Sequence, residues 1–260
     1  MPSFPRAGVE LYFEERGVGF PLVLQTGGAG DGRMWLEAGY VGALVGYRAI
    51  LFDHRGRGRS ARPERLEQHL LAEFVADVVA LADHLGLERY GYVGYSAGAF
   101  VGYHLAARDP RVAALVALGG VLAEDGDEDG GSGYRAAVED AGMEGLNAVV
   151  EQGERIQLPA WLRRQFAETD RGQFLLTAQA WAEEPEPWDL LAAIRCPTLL
   201  VLGAGEDPAG AGEQMAARMA EAELVYVPRR GHVGAFLEVG QVAPRLRTFL
   251  DRTVARAAPG

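Results

Sequence analysis

The sequence predicts an α/β fold: a mostly parallel central sheet with helices on both faces, interrupted once by a long helical insertion. Short apolar, β-branched or aromatic runs alternate with longer helical patterns along most of the 260 residues. That alternation indicates strands joined by crossover helices. Between 122 and 193 the rhythm stops, and no buried strand is evident there. The composition, 48% hydrophobic and 23% charged, excludes disorder for most of the chain and supports one large domain with a real core.

The elements follow in order. Strands are expected at 9–15 and 21–26, close enough to form an antiparallel hairpin, then at 48–53, 90–95, 112–118, 198–203 and 223–227. Leu70, Phe74, Asp77, Val78, Leu81 and Leu85 fall at three- and four-residue steps before Gly86, so 67–85 reads as a helix laying one face on the sheet. A second helix, 97–108, stops before Pro110, and a last one, about 241–257, closes the outer face. The core thus comprises 1–121 and 194–260, with 122–193 inserted. The insertion opens on an acidic, glycine-rich run at 124–133 that has too few apolar groups to pack and is expected to gate access to a site. Trp161, Phe166, Phe174, Leu175, Trp181 and Trp188 follow it.

Charge and cysteine content remove several classes of function. With 25 basic and 36 acidic residues, a net of -11, and no basic face, nucleic acid is not an expected partner. The single cysteine, Cys196, beside Pro197, allows no intrachain disulfide and reads as a buried structural thiol. The first residues lack a basic stretch followed by an apolar one, and no run approaches a membrane span, so the expectation is a cytoplasmic protein with no membrane partner. No metal-ligand cluster and no cofactor motif are expected.

The chemistry concentrates at Gly94-Tyr95-Ser96-Ala97-Gly98, where the strand 90–95 passes straight into the helix 97–108. In a G-x-S-x-G turn the serine is strained and exposed, and the glycines let strand and helix approach. The helix N-terminus adds positive partial charge where an oxyanion would form. A hydroxyl nucleophile needs a base and the base a carboxylate. Asp207 follows the strand 198–203, and His232 follows the strand 223–227 within Gly231-His232-Val233-Gly234. All three therefore fall beyond strand carboxyl ends, where open α/β sheets build their sites. Glu124 and Asp125, after the strand 112–118, are the rival acids. The other four histidines, His54, His69, His84 and His104, lie in a turn or on helices. Thr26-Gly27-Gly28-Ala29-Gly30 supplies an oxyanion loop, with the Gly28 and Ala97 N–H groups as donors. No Gly-Lys-Ser/Thr follows that loop, which removes a phosphate-binding reading. Gly56 to Ala61 fits a relaxed dinucleotide fingerprint, but Arg62-Pro63 follows instead of a helix.

These motifs together resemble the α/β-hydrolase fold superfamily, from about residue 9 to 250. Phe52-Asp53-His54-Arg55-Gly56-Arg57-Gly58-Arg59-Ser60 is similar to its D-x-R-G-x-G-x-S turn, Cys196-Pro197-Thr198 to the start of its penultimate strand, and Gly231-His232 to its histidine loop. Thr26-Gly27 departs from the His-Gly usual before the oxyanion loop. The resemblance implies that 122–193 is a cap over Ser96; its aromatic residues, Trp161 and Trp181 among them, either line a substrate pocket with Tyr95 or pack the insertion onto the main domain. It also implies a Ser96–His232–Asp207 triad acting on a small-molecule carboxylic ester or lactone without a cofactor. A serine nucleophile argues against the aspartate chemistry of dehalogenases and epoxide hydrolases. Carbon–carbon bond hydrolysis, perhydrolysis, acyl transfer and slow-turnover ligand reception stay open, as does the oligomeric state.

Overall fold

The computed structural model describes residues 2–122, 132–207 and 209–257. One eight-stranded sheet runs through it, composed of β1 (Ser3–Arg6), β2 (Val9–Arg16), β3 (Phe20–Gln25), β4 (Tyr47–Asp53), β5 (Tyr90–Tyr95), β6 (Val112–Leu118), β7 (Thr198–Gly203) and β8 (Ala222–Val227). The spatial order is β1-β2-β4-β3-β5-β6-β7-β8. Only the β1–β2 and β2–β4 pairings are antiparallel. Alternate residues of the central strands feed two separate cores: Leu22, Leu24, Val93 and Val116 face one layer, while Val23, Ile50, Tyr92 and Leu115 face the other. Burial on both faces explains why these strands read as continuous apolar runs.

The expected hairpin between the first two long strands does not form. β3 lies between β4 and β5, parallel to both, where Leu22, Val23 and Leu24 are fully buried. β2, which carries Glu10, Glu14 and Glu15 among its apolar residues, takes an outer place. Its hairpin partner is β1, which sequence reasoning did not anticipate, joined through Ala7 and Gly8, both at positive φ. An alanine at a left-handed turn position gives no usual turn signal.

Helices α1 (Arg33–Glu37) and α2 (Tyr40–Ala43) connect β3 to β4, α3 (Leu71–His84) precedes β5, and α4 (Ala97–Ala106) follows it. The helix expected at 67–85 is broken at Leu70, whose extended backbone separates a 3-10 turn, Leu66–His69, from α3. Among the described residues, 132–193 holds four helices and no strand: α5 (Ser132–Glu154), kinked at Gly142, α6 (Ala160–Glu168), α7 (Arg171–Trp181) and α8 (Trp188–Leu191). Residues 123–131, with Glu124 and Asp125, lie outside the described residues. Helices α9 (Ala211–Arg218), α10 (His232–Leu237) and α11 (Val239–Ala257) complete the chain. No described helix is long and apolar enough to cross a membrane.

One polar contact ties β1, the turn after β4 and α3 together. Asp77, on the buried face of α3, accepts from Arg55 Nε and Nη2, both at 2.7 Å, and from Arg6 Nη1 at 2.9 Å. Asp77 and Arg55 are almost fully buried, so each charge depends on the other for the solvation it has lost. This pairing is why an aspartate stands in an otherwise apolar helical stripe. Arg55→Met is expected to leave Asp77 short of its main partner and to cost about 3–5 kcal/mol, read as a lower urea midpoint. An unchanged midpoint would show that Arg6 alone suffices.

Candidate active site

Ser96 sits between β5 and α4 with φ +55° and ψ -121°, a conformation few non-glycine residues adopt. Its backbone is held on both sides: Ser96 N–H donates to Leu118 O at 2.8 Å, and Ser96 O accepts from Ala99 N at 2.8 Å. A Cβ on Gly94 would lie 2.2 Å from Gly98 O, and one on Gly98 would lie 2.5 Å from Gln25 O. Both glycines are thus required by the packing of strand, helix and neighbouring loop. A Cβ on Gly27 would lie 2.8 Å from Ser96 Cβ, which places the 26–30 loop directly beside the serine.

His232 opens α10, beyond the end of β8. Its ring stacks on Tyr95 at 5.1 Å between centroids, and Tyr95 stacks in turn on Phe236 at 4.3 Å. A Cβ on Gly119 would fall 2.7 Å from His232 Nδ1, so the end of β6 also leaves room for the ring. His232 Nδ1 lies 2.7 Å from Oε2 of Glu206, whose side chain is 7% exposed. Burial opposes a charge on the imidazole, but Glu206, supported by the charge of Glu154, outweighs it and raises the His232 pKa above its ordinary 6.5.

The structure therefore brings Glu206, not Asp207, to His232. Asp207 turns the other way, where its carboxylate accepts from Ala211 N at 2.7 Å, Gly212 N at 2.8 Å and the Tyr226 hydroxyl at 2.6 Å. It satisfies the free N–H groups that open α9, and its hydrogen bonds go to those donors and Tyr226 while the imidazole is held by Glu206. Both residues follow β7 within one turn of chain, and only the path of that turn separates their roles.

Gly28 and Ala97 border the same cavity as Ser96 and His232, a space of about 400 Å³. The carbonyls of the Gly28 loop are held from the turn after β4: Arg57 Nε donates to Gly28 O at 2.7 Å, and His54 Nε2 lies 3.0 Å from Gly27 O. Gly30 N donates to Thr169 Oγ1 at 2.9 Å, and Gly32 N to Asp53 Oδ1 at 2.8 Å. Thr26, standing where a histidine was expected, contributes none of this, since its buried hydroxyl has no partner. Burial, helped by the Arg57 charge, pushes His54 down to about 3, so the ring is neutral and donates one N–H.

The rest of the cavity wall is largely apolar. Leu146, Val150, Phe166, Phe174 and Trp181, all from the helices between β6 and β7, face it together with Tyr95. Trp181 also anchors its helix, donating Nε1–H to His69 O at 2.9 Å and setting its ring against Phe74 at 5.1 Å. Trp161 is not brought to this cavity: it is half-buried and packs on the core. Of the missed residues, His54 and Arg57 lie in the quoted 52–60 stretch and Glu206 immediately precedes Asp207, and their contacts are set by three-dimensional turns that spacing does not encode. No group of three or more potential metal ligands occurs among the described residues.

A family model described as the alpha/beta hydrolase family matches residues 22–245. A putative carbamate hydrolase RutD of Variovorax paradoxus (strain S110) is 30% identical over 96% of this chain and 99% of its own length. A protein of the same name from Caulobacter sp. (strain K31) is 42% identical, over 38% of this chain and 37% of its own; the chain thus spans little more than a third of that relative in the match. The solved enol-lactonase from Burkholderia xenovorans LB400 is 22% identical, with a TM-score of 0.81 over 96% of this chain and 100% of that one, which shows a shared fold.

Asp207→Asn is expected to lower stability by about 1–2 kcal/mol through the weakened cap, visible as a lower melting temperature, with the His232 ring resonances unmoved. A shifted His232 titration at unchanged stability would restore Asp207 as the acid.

Proposed function

We propose that this chain, which belongs to the alpha/beta hydrolase family, is a serine hydrolase that cleaves a small carboxylic ester or lactone through an acyl-enzyme. One observation carries the reading: a backbone-strained serine shares a cavity with a histidine whose Nδ1 is held by a buried carboxylate. Nδ1–H donating to Glu206 leaves Nε2 as the basic nitrogen. Nε2 takes the Ser96 Oγ proton as Oγ bonds to the substrate carbonyl carbon, and the negative oxygen is received by the Gly28 and Ala97 N–H groups. Collapse expels the alcohol oxygen, which takes the proton from His232. Water, deprotonated by the same nitrogen, then attacks the acyl carbon, and collapse breaks the acyl–Oγ bond as His232 returns that proton to Ser96 Oγ and the acid leaves. The helices between β6 and β7 act as a cap, and their apolar side chains favour an acyl or alcohol group of modest size.

A carbamate, with nitrogen beside the same carbonyl carbon, fits identical steps. The name of the Variovorax relative, similar over nearly its whole length, makes it the second substrate class to assay.

Ser96→Ala is expected to reduce turnover of an aryl ester at least ~10³-fold and to abolish labelling by an organophosphonate. An adduct on another residue would overturn the assignment. Glu206→Gln is expected to cost about 10²–10⁴ in kcat by removing the group that orients the imidazole. The pH profile has a defined sign. The base works only when unprotonated and its pKa is raised, so kcat/KM should reach half its plateau above pH 6.5. A plateau that persists to lower pH would contradict the role of His232.

A further inference from the structure

The last residue of α5, Glu154, reaches across from the segment between β6 and β7 to the loop that carries His232. Its Oε1 accepts from Val233 N at 2.6 Å and its Oε2 from Gly234 N at 2.8 Å. The two donors are the residues that follow His232 at the start of α10, and their N–H groups have no partner within that helix. The fit is close on both sides. A Cβ on Gly231 would lie 2.7 Å from the Glu154 carboxyl carbon, and one on Gly234 would lie 3.0 Å from Oε2. Arg155, next in the chain, takes φ +55°, which ends α5 and leaves Glu154 in its last turn.

We propose that Glu154 is a positioning residue for His232, fixing the backbone on which the imidazole rides and adding a second negative charge behind it. This rests on the reading of His232 as the general base. Glu206 holds the ring at Nδ1 and Tyr95 stacks on its face, but neither contact engages the N–H groups of residues 233 and 234 that carry the ring's backbone. Glu154 removes that freedom through two charge-assisted bonds. Such a contact makes the base dependent on the docked cap, because the carboxylate belongs to the cap and its donors to the core.

The other groups facing His232 do not supply this charge. Tyr95 and Tyr134 present rings to it, and burial raises both phenols, Tyr134 to about 12, so they stay neutral. Arg230 is engaged by Glu238. Glu206 and Glu154 are thus the two carboxylates that set the electrostatics of the ring.

The test is Glu154→Gln, followed by NMR titration of the His232 imidazole and by the pH profile of ester turnover. The His232 pKa is expected to fall by roughly one unit, the acid limb of kcat/KM to move down with it, and plateau kcat to drop about tenfold. A titration and plateau kcat unchanged within twofold, whatever the melting temperature, would overturn the proposal and reduce Glu154 to a structural contact. If the Gln variant does not fold, Gly231→Ala displaces the carboxylate without removing it, and the same two readouts decide. Wild-type protein that is inert to aryl esters and to phosphonate at Ser96 would instead overturn the hydrolase reading, while the NMR titration still decides the role of Glu154.

Discussion

Backbone packed against backbone is the constraint on which the rest of this structure depends. Around Ser96 the backbone of Gly94 passes against that of Gly98, and Gly98 against Gln25, at distances that leave no room for a Cβ, while Gly27 presses on the Ser96 side chain and Gly119 on the imidazole. The ends of β3, β5 and β6 and the start of α4 therefore converge within the reach of one small molecule. The positive φ at Ser96 follows from the same crowding, because the chain must reverse from strand to helix without retreating from its neighbours. The sheet order makes this convergence possible, with β3 moved into the centre beside β5.

A polar cluster under the 26–30 loop is the second tier of support. The end of β4 and the turn after it send Asp53 to Gly32 N, His54 to Gly27 O, Arg55 into Asp77 and Arg57 to Gly28 O. Groups that anchor α3 and groups that shape the 26–30 loop thus share one short stretch of chain. Thr26 shows the result: its buried hydroxyl has no partner, while His54, at the next strand end, lies against Gly27 O.

Much of the fold was legible because parallel strands buried on both faces leave continuous apolar runs, and the helices between them leave a regular stripe. Ser96 and His232 were legible because glycines mark the places where their backbones are crowded. Asp207 and Glu206 were not separable by chain order, since both follow β7. The choice lies in which carboxylate meets the open end of α9. β1 escaped notice because its turn uses Ala7 at positive φ. Trp161 and Trp181 look alike in sequence, yet one packs on the core and the other borders the cavity. Glu154 carried no local signal at all, for its partners lie far along the chain at 233 and 234.

Two imidazoles sealed in the interior give this molecule a built-in intolerance of acid. His54 and His69 are buried, and burial pushes both below the ordinary 6.5, His54 to about 3. An unfolded chain takes up protons on these rings as the pH drops below 6.5, whereas the native chain resists to lower pH, to about 3 at His54. Proton uptake therefore pulls the equilibrium toward the unfolded state across that interval. His232 works in the opposite sense: its raised value means that the native state holds that proton more tightly, a stabilisation present below 6.5 and lost as the pH rises through the native value. The rings of His54, against Gly27 O, and His69, against Thr177 Oγ1 and Pro63 O, thus set an acidic floor for the fold, while the ring that shares the cavity with Ser96 gains from acid what they lose.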